Sequence, residues 1–121
     1  MTNPDLPPPL AVDEARLARW RTRFLKDADE TLAQMALAAG ESGGGLVSIG
    51  RLAHRLKSSA ALLGHGVIAN LCASIELAAV EFNDALVVSR LVAELRVRVA
   101  EVAAEGDGAV PLTGRVPARS T

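Results

Sequence analysis

Apolar residues recur every three or four positions through most of the chain. Leu17, Trp20, Phe24, Ala28, Leu32, Met35 and Ala39 form one stripe and predict a helix over 12–39. Asp13 and Glu14 suit its N-terminal end, and Gly40 suits its stop. A second helix is predicted over 46–63, ending at Gly64. A third covers 67–82, with Val67, Ile68, Leu71, Ile75 and Phe82 on one side. Asn83 or Asp84 can cap a fourth, which reaches 105 and carries Leu91, Leu95, Val99 and Val102. No segment alternates with a period of two, so no sheet is expected. Short connections between amphipathic helices favour an all-α, antiparallel up-down four-helix bundle.

The flanks read differently. Residues 1–11 hold Pro4, Pro7, Pro8 and Pro9 and read as an extended, disordered lead; 106–121, with Gly106, Gly108, Pro111, Gly114 and Pro117, read as a flexible tail. The domain is thus expected over 12–105. At 121 residues the chain has room for one modest core. Its apolar half is mostly Ala, Leu and Val, with two Phe, one Trp and no Tyr, a composition that favours helices. The net charge of −1 provides no general attraction to nucleic acid or membrane. The most apolar stretch, 86–102, is interrupted by Arg90, Glu94, Arg96, Arg98 and Glu101 and cannot span a bilayer. With no signal peptide in view and Cys72 as the single cysteine, a cytoplasmic setting is expected, and the Ala, Arg and Gly richness resembles bacterial composition. Gly43, Gly44 and Gly45 are a connector, because the Lys-Ser/Thr of a phosphate loop does not follow them.

The second helix has two faces. With His54 at zero and about 100° per residue, Leu52, Leu56 and Leu63 fall within about 20° of the opposite pole, flanked by Ile49 and Ser59. His54 therefore points away from the core. Gly50 lies one turn before it, Ser58 one turn after and Ala61 two turns on, while Arg51 and Lys57 stand about 60° to either side. A glycine inside a helix costs up to about 1 kcal/mol relative to Ala. On an exposed face that cost suggests room for a docking partner. The cations suit a phosphoryl group or an acidic surface, and an uncharged imidazole nitrogen can act as a nucleophile. Lone surface histidines usually do nothing, so this geometry alone does not establish a role.

The run Ala53-His54-Arg55-Leu56-Lys57-Ser58-Ser59-Ala60-Ala61-Leu62-Leu63-Gly64 resembles the signature of histidine-phosphotransfer domains of multistep phosphorelays. That signature is His-x-Leu-Lys-Gly-[Ser/Ala], then a Gly ten positions after the His. Leu56, Lys57, Ser59 and Gly64 fall in place, and Ile68, Leu71, Cys72, Ile75 and Glu76 resemble the pattern of the following helix. Ser58 stands where the family usually has Gly. The resemblance implies that His54 is phosphorylated on Nε2 and that Lys57 balances the phosphoryl charge. It further implies that Glu76 accepts a hydrogen bond from the other ring nitrogen and that Gly64 allows the turn. It implies a carrier rather than an enzyme, with no nucleotide site and no cofactor or metal of its own. Mg²⁺ would belong to the partner, a receiver domain of a response regulator or of a hybrid histidine kinase. A monomer is expected.

Beside these, Val47, Gly50, Arg51, Arg55, Ser58 and Ala61 are candidates for the partner-binding face. Arg51 and Arg55 read first as solvated charges. His65 reads as a loop residue, Cys72 as core packing and Trp20 as a core anchor. The main rival is a helical adaptor that binds a receiver or another signalling partner without being phosphorylated; it has no need of the His54–Lys57 pair. A histidine-kinase phosphoacceptor segment would place an acid after the His and a Pro soon after, but Arg55 follows and no Pro occurs between Pro9 and Pro111. A metal bundle would need a Glu-x-x-His pair, which the chain lacks.

Overall fold

The turns between the helices close with backbone hydrogen bonds that satisfy the helix ends. The computed structural model describes residues 14–41 and 45–108. It contains α1 (Glu14–Ala39), α2 (Leu46–Leu62), α3 (Gly66–Val80) and α4 (Ala85–Gly108), with no strand among the described residues. The lead over 1–11 lies outside the described residues. The tail expected from 106 does so only beyond Gly108, because α4 continues three residues past its predicted end.

The turn from α2 to α3 is set by glycine. Gly64 has φ +82°, its N–H donates to Ala61 O, and the His65 N–H donates to Ala60 O at 2.8 Å. These two bonds close a Schellman turn and satisfy carbonyls left free at the helix end. At the next turn Asn83 takes φ +51°, a left-handed conformation that Asn tolerates better than most residues. α3 therefore stops at Val80, two residues before its predicted end, and Phe82 is exposed in the turn. Of the two candidate caps for α4, Asp84 takes the role. Its Oδ1 accepts the Val87 N–H at 3.1 Å.

The helices pack in a ring, α1 against α2 and α4, α3 against α2 and α4. Phe24, Leu32 and Met35 of α1 meet Ile49, Leu52 and Leu56 of α2, Ile68, Cys72 and Ile75 of α3, and Val88, Leu95 and Val99 of α4 in one buried cluster. Each large side chain buried there contributes roughly 1.5–3 kcal/mol. Small residues thin the walls between the helices: Ala28, Ala38, Ala53, Ala60, Ala69, Ala78 and Ala79 are all buried.

Two core expectations fail at the bundle's end. No residue of α1 before Phe24 is buried, and both Leu17 and Trp20 keep 42% of their surface exposed. The apolar stripe continues toward the start of α1, but the neighbouring helices do not bury it there. Trp20 is therefore not a core anchor. Val67 at the start of α3 is exposed as well. His65, in contrast, does more than span a loop: its ring stacks on Phe24 with centroids 4.8 Å apart. Burial lowers its pKa, as does the nearby charge of Arg21, against a smaller opposing effect of Glu105.

Candidate functional site: a histidine on the seam between two helices

α2 has two packing flanks, and apolarity reveals only one. Opposite His54, Ile49, Leu52 and Leu56 are buried as the helical wheel requires, while Leu63 is half-buried. The second flank is made of small residues. Relative to His54, Gly50, Ala53 and Ala60 lie about 40°, 100° and 120° round the same side of the helix, and all three are buried. α3 packs on this side, with Val80 and Ala79 against Gly50. Gly50 is therefore not an exposed position kept open for a partner. A Cβ there would come within 2.8 Å of Val80 Cγ2, so the glycine lets α3 approach.

That close approach brings a carboxylate to the imidazole. The His54 side chain is 60% exposed. Its Nδ1 lies 2.8 Å from Oε2 of Glu76, 22 positions along the chain. Lys57, one turn from His54 and half-buried on the α3 side, donates from Nζ to Oε1 of the same carboxylate at 2.9 Å. The Lys57 hydrogen bond holds the Glu76 carboxyl below the ordinary carboxylate range. Partial desolvation opposes this, and the hydrogen bond and charge of His54 and the charge of Lys57 reinforce it. An ionised carboxylate only accepts hydrogen bonds. Nδ1 must then carry the proton, and the neutral ring presents Nε2 with a free lone pair.

The remaining sequence candidates separate into groups. Val47, Ser58 and Ala61 are exposed on the His54 face. Arg51 and Arg55 are exposed too, but they stand on the opposite side of His54 from Lys57, beside Gln34 and Leu37 of α1 and Glu41 just after it. Of the three cations of α2, Lys57 alone is ion-paired with Glu76 of α3. Val80 was not among the candidates. It stands one turn beyond Glu76 on α3, more than half exposed, and adds apolar surface beside Gly50. Its i+4 spacing from Glu76 was the available signal. Among the described residues no group of three or more His, Cys, Asp or Glu could hold a metal ion, and no helix is long and apolar enough to cross a membrane.

Against known families, the model described as Hpt domain matches residues 19–105, a span that includes all of α2 and α3 and the three bridged side chains. No curated protein and no solved structure gives a match.

Proposed function

This chain belongs to the Hpt domain family, whose members are histidine phosphotransfer carriers of two-component systems, and we propose that His54 is its phosphoryl acceptor and donor. The observation that carries this reading is the 2.8 Å contact of Nδ1 with Glu76 on a side chain that is 60% exposed, which supports a tautomer protonated on Nδ1 with Nε2 as the nucleophile. A receiver domain bearing a phospho-aspartate docks on the exposed face formed by Val47, Ser58, Ala61 and Val80. Nε2 attacks phosphorus in line; the N–P bond forms as the acyl O–P bond breaks, and the aspartate leaves as a carboxylate. Nδ1 keeps its proton, so the ring gains positive charge next to the Glu76 carboxylate, which stabilises it. Lys57, one turn from His54 on the same helix, offsets the incoming phosphoryl charge, and transfer to a second receiver reverses the steps. Such transfer depends on positioning and charge stabilisation. Mg²⁺ is supplied by the receiver, and the contact is small and transient.

The test is incubation with a phosphorylated receiver domain. Acid-labile, base-stable phosphate should appear on the wild type and be missing from a His54→Gln variant that remains folded. If several competent receivers leave the folded wild type unlabelled, the carrier reading fails and a binding-only adaptor takes its place.

A further inference from the structure

α2 carries three cations, Arg51, Arg55 and Lys57, and no carboxylate. Lys57 is neutralised by Glu76 at 2.9 Å. Arg51 and Arg55 stand about 60° and 100° round α2 from His54, on the side away from Lys57. Both are exposed, and neither forms an ion pair among the described residues. They are four positions apart, and a like-charge pair at that spacing weakens a helix slightly. Beside them, Gln34 and Leu37 of α1 and Glu41 just after it face Ser48, Arg51 and Arg55 across a groove of about 370 Å³. Leu37 is 75% exposed, and the Glu41 carboxylate pairs with neither arginine.

We propose that this groove, given the carrier role of His54 on which the inference rests, selects the receiver. The partner that docks on His54 presents an acidic flank, with an Asp or Glu to Arg51 and Arg55 and an apolar side chain to Leu37. Two guanidinium groups one helical turn apart offer planar pairs of N–H donors, which suit carboxylates in bidentate contact. Because α3 already neutralises Lys57, the uncompensated positive charge of α2 lies on the α1 side of His54. A contact of about 600 Å² per partner reaches about 14 Å from its centre. Arg51 and Arg55 lie within about 5 Å of His54 along the helix axis, so a footprint centred on Nε2 covers them. Opposite charge speeds encounter, and like charge turns wrong partners away. Receivers with a basic flank are therefore disfavoured at this side of the site.

Several receiver domains are phosphorylated with acetyl phosphate and Mg²⁺, and the one that labels the wild type fastest is kept. It is mixed with three full-length proteins, each checked for helical content by circular dichroism. These are the wild type, a variant carrying Arg51→Gln and Arg55→Gln, and a control carrying Arg90→Gln and Arg96→Gln. The control makes the same change in net charge on α4, which packs against α1 and α3. At about 50 mM salt the second-order rate constant of transfer should fall about tenfold in the Arg51 and Arg55 variant and less than about twofold in the control. The loss should fade as the receiver approaches saturation, and shrink to about twofold or less at about 0.5 M salt, where the Debye length is about 4 Å. Equal rates for the wild type and the Arg51 and Arg55 variant would overturn the proposal and leave the carrier role intact. Equal losses in both variants would overturn it as well, since net charge alone would account for them. A folded wild type that no receiver labels would instead remove the carrier role, and this inference with it.

Discussion

Replacing Gly50 with Ala sets two effects of similar size against each other. In a helix interior Ala is favoured over Gly by about 0.8–1.0 kcal/mol, and Gly50 has no positive φ to protect. The added Cβ would meet Ala79 Cβ at 3.6 Å, an ordinary contact, but Val80 Cγ2 at 2.8 Å, which must move. Val80 is 57% exposed, so its side chain can turn toward water. Leaving the one rotamer that valine strongly prefers in a helix costs about 1 kcal/mol. Gly50→Ala in the wild type should therefore change the unfolding free energy by less than about 0.5 kcal/mol. In a Val80→Ala background the obstacle is gone, and the same substitution should stabilise by about 1 kcal/mol. Urea denaturation of the four proteins yields a coupling of about 1 kcal/mol between the two sites. An equal gain in both backgrounds would mean that α3 does not approach Gly50 closely. A loss above about 2 kcal/mol in both would mean that the backbone, not the Val80 methyl, blocks the site.

Three further outcomes follow from neighbouring features. Gly64 and Gly66 both have open space where a Cβ would go, but only Gly64 has a positive φ. Gly64→Ala should lose roughly 1–2 kcal/mol, while Gly66→Ala gains about 0.4–1 kcal/mol, measured by urea midpoints; equal effects would refute a purely conformational role for Gly64. Cys72 is fully buried, and burial pushes its thiol up to about 11 against a smaller lowering by Lys57. Ellman's reagent at pH 8 should react only at the rate of unfolding, and prompt labelling of the native protein would show that the core at Cys72 opens. The Glu76 carboxyl titrates lower in the fold than in the unfolded chain. Its bridge therefore stabilises the fold above the ordinary carboxylate range and is lost as pH falls through the folded value. Glu76→Gln should flatten the acid side of the stability–pH curve, and an unchanged slope would show the bridge to be energetically idle.

Helical periodicity made the four helices and the outward direction of His54 legible, because large apolar residues declare the core by their spacing. The α2–α3 flank was not legible, because Gly50, Ala53 and Ala60 carry almost no hydrophobic signal. Small residues mark close approach, and whether a glycine meets water or another helix depends on what lies beyond it. Trp20 failed for the opposite reason. Its position on the stripe is right, but a stripe does not reveal where the neighbouring helices stop. The Glu76 position could be named only by resemblance. Periodicity within one helix cannot say which side chain of the next helix faces it, and that pairing needs the turn at Gly64.

The Schellman turn at Gly64–His65 also governs which changes of length this chain can accept. Glu76 reaches His54 across 22 positions and Lys57 across 19, and both spans run through that turn. One residue inserted between Lys57 and Glu76 and carried into α3 would rotate Glu76 by about 100° away from both partners. The connection between Ala39 and Leu46 separates no pair of site residues. Insertions and deletions should therefore be tolerated before α2 and selected against between Lys57 and Glu76, even though much of that interval is exposed helix and turn.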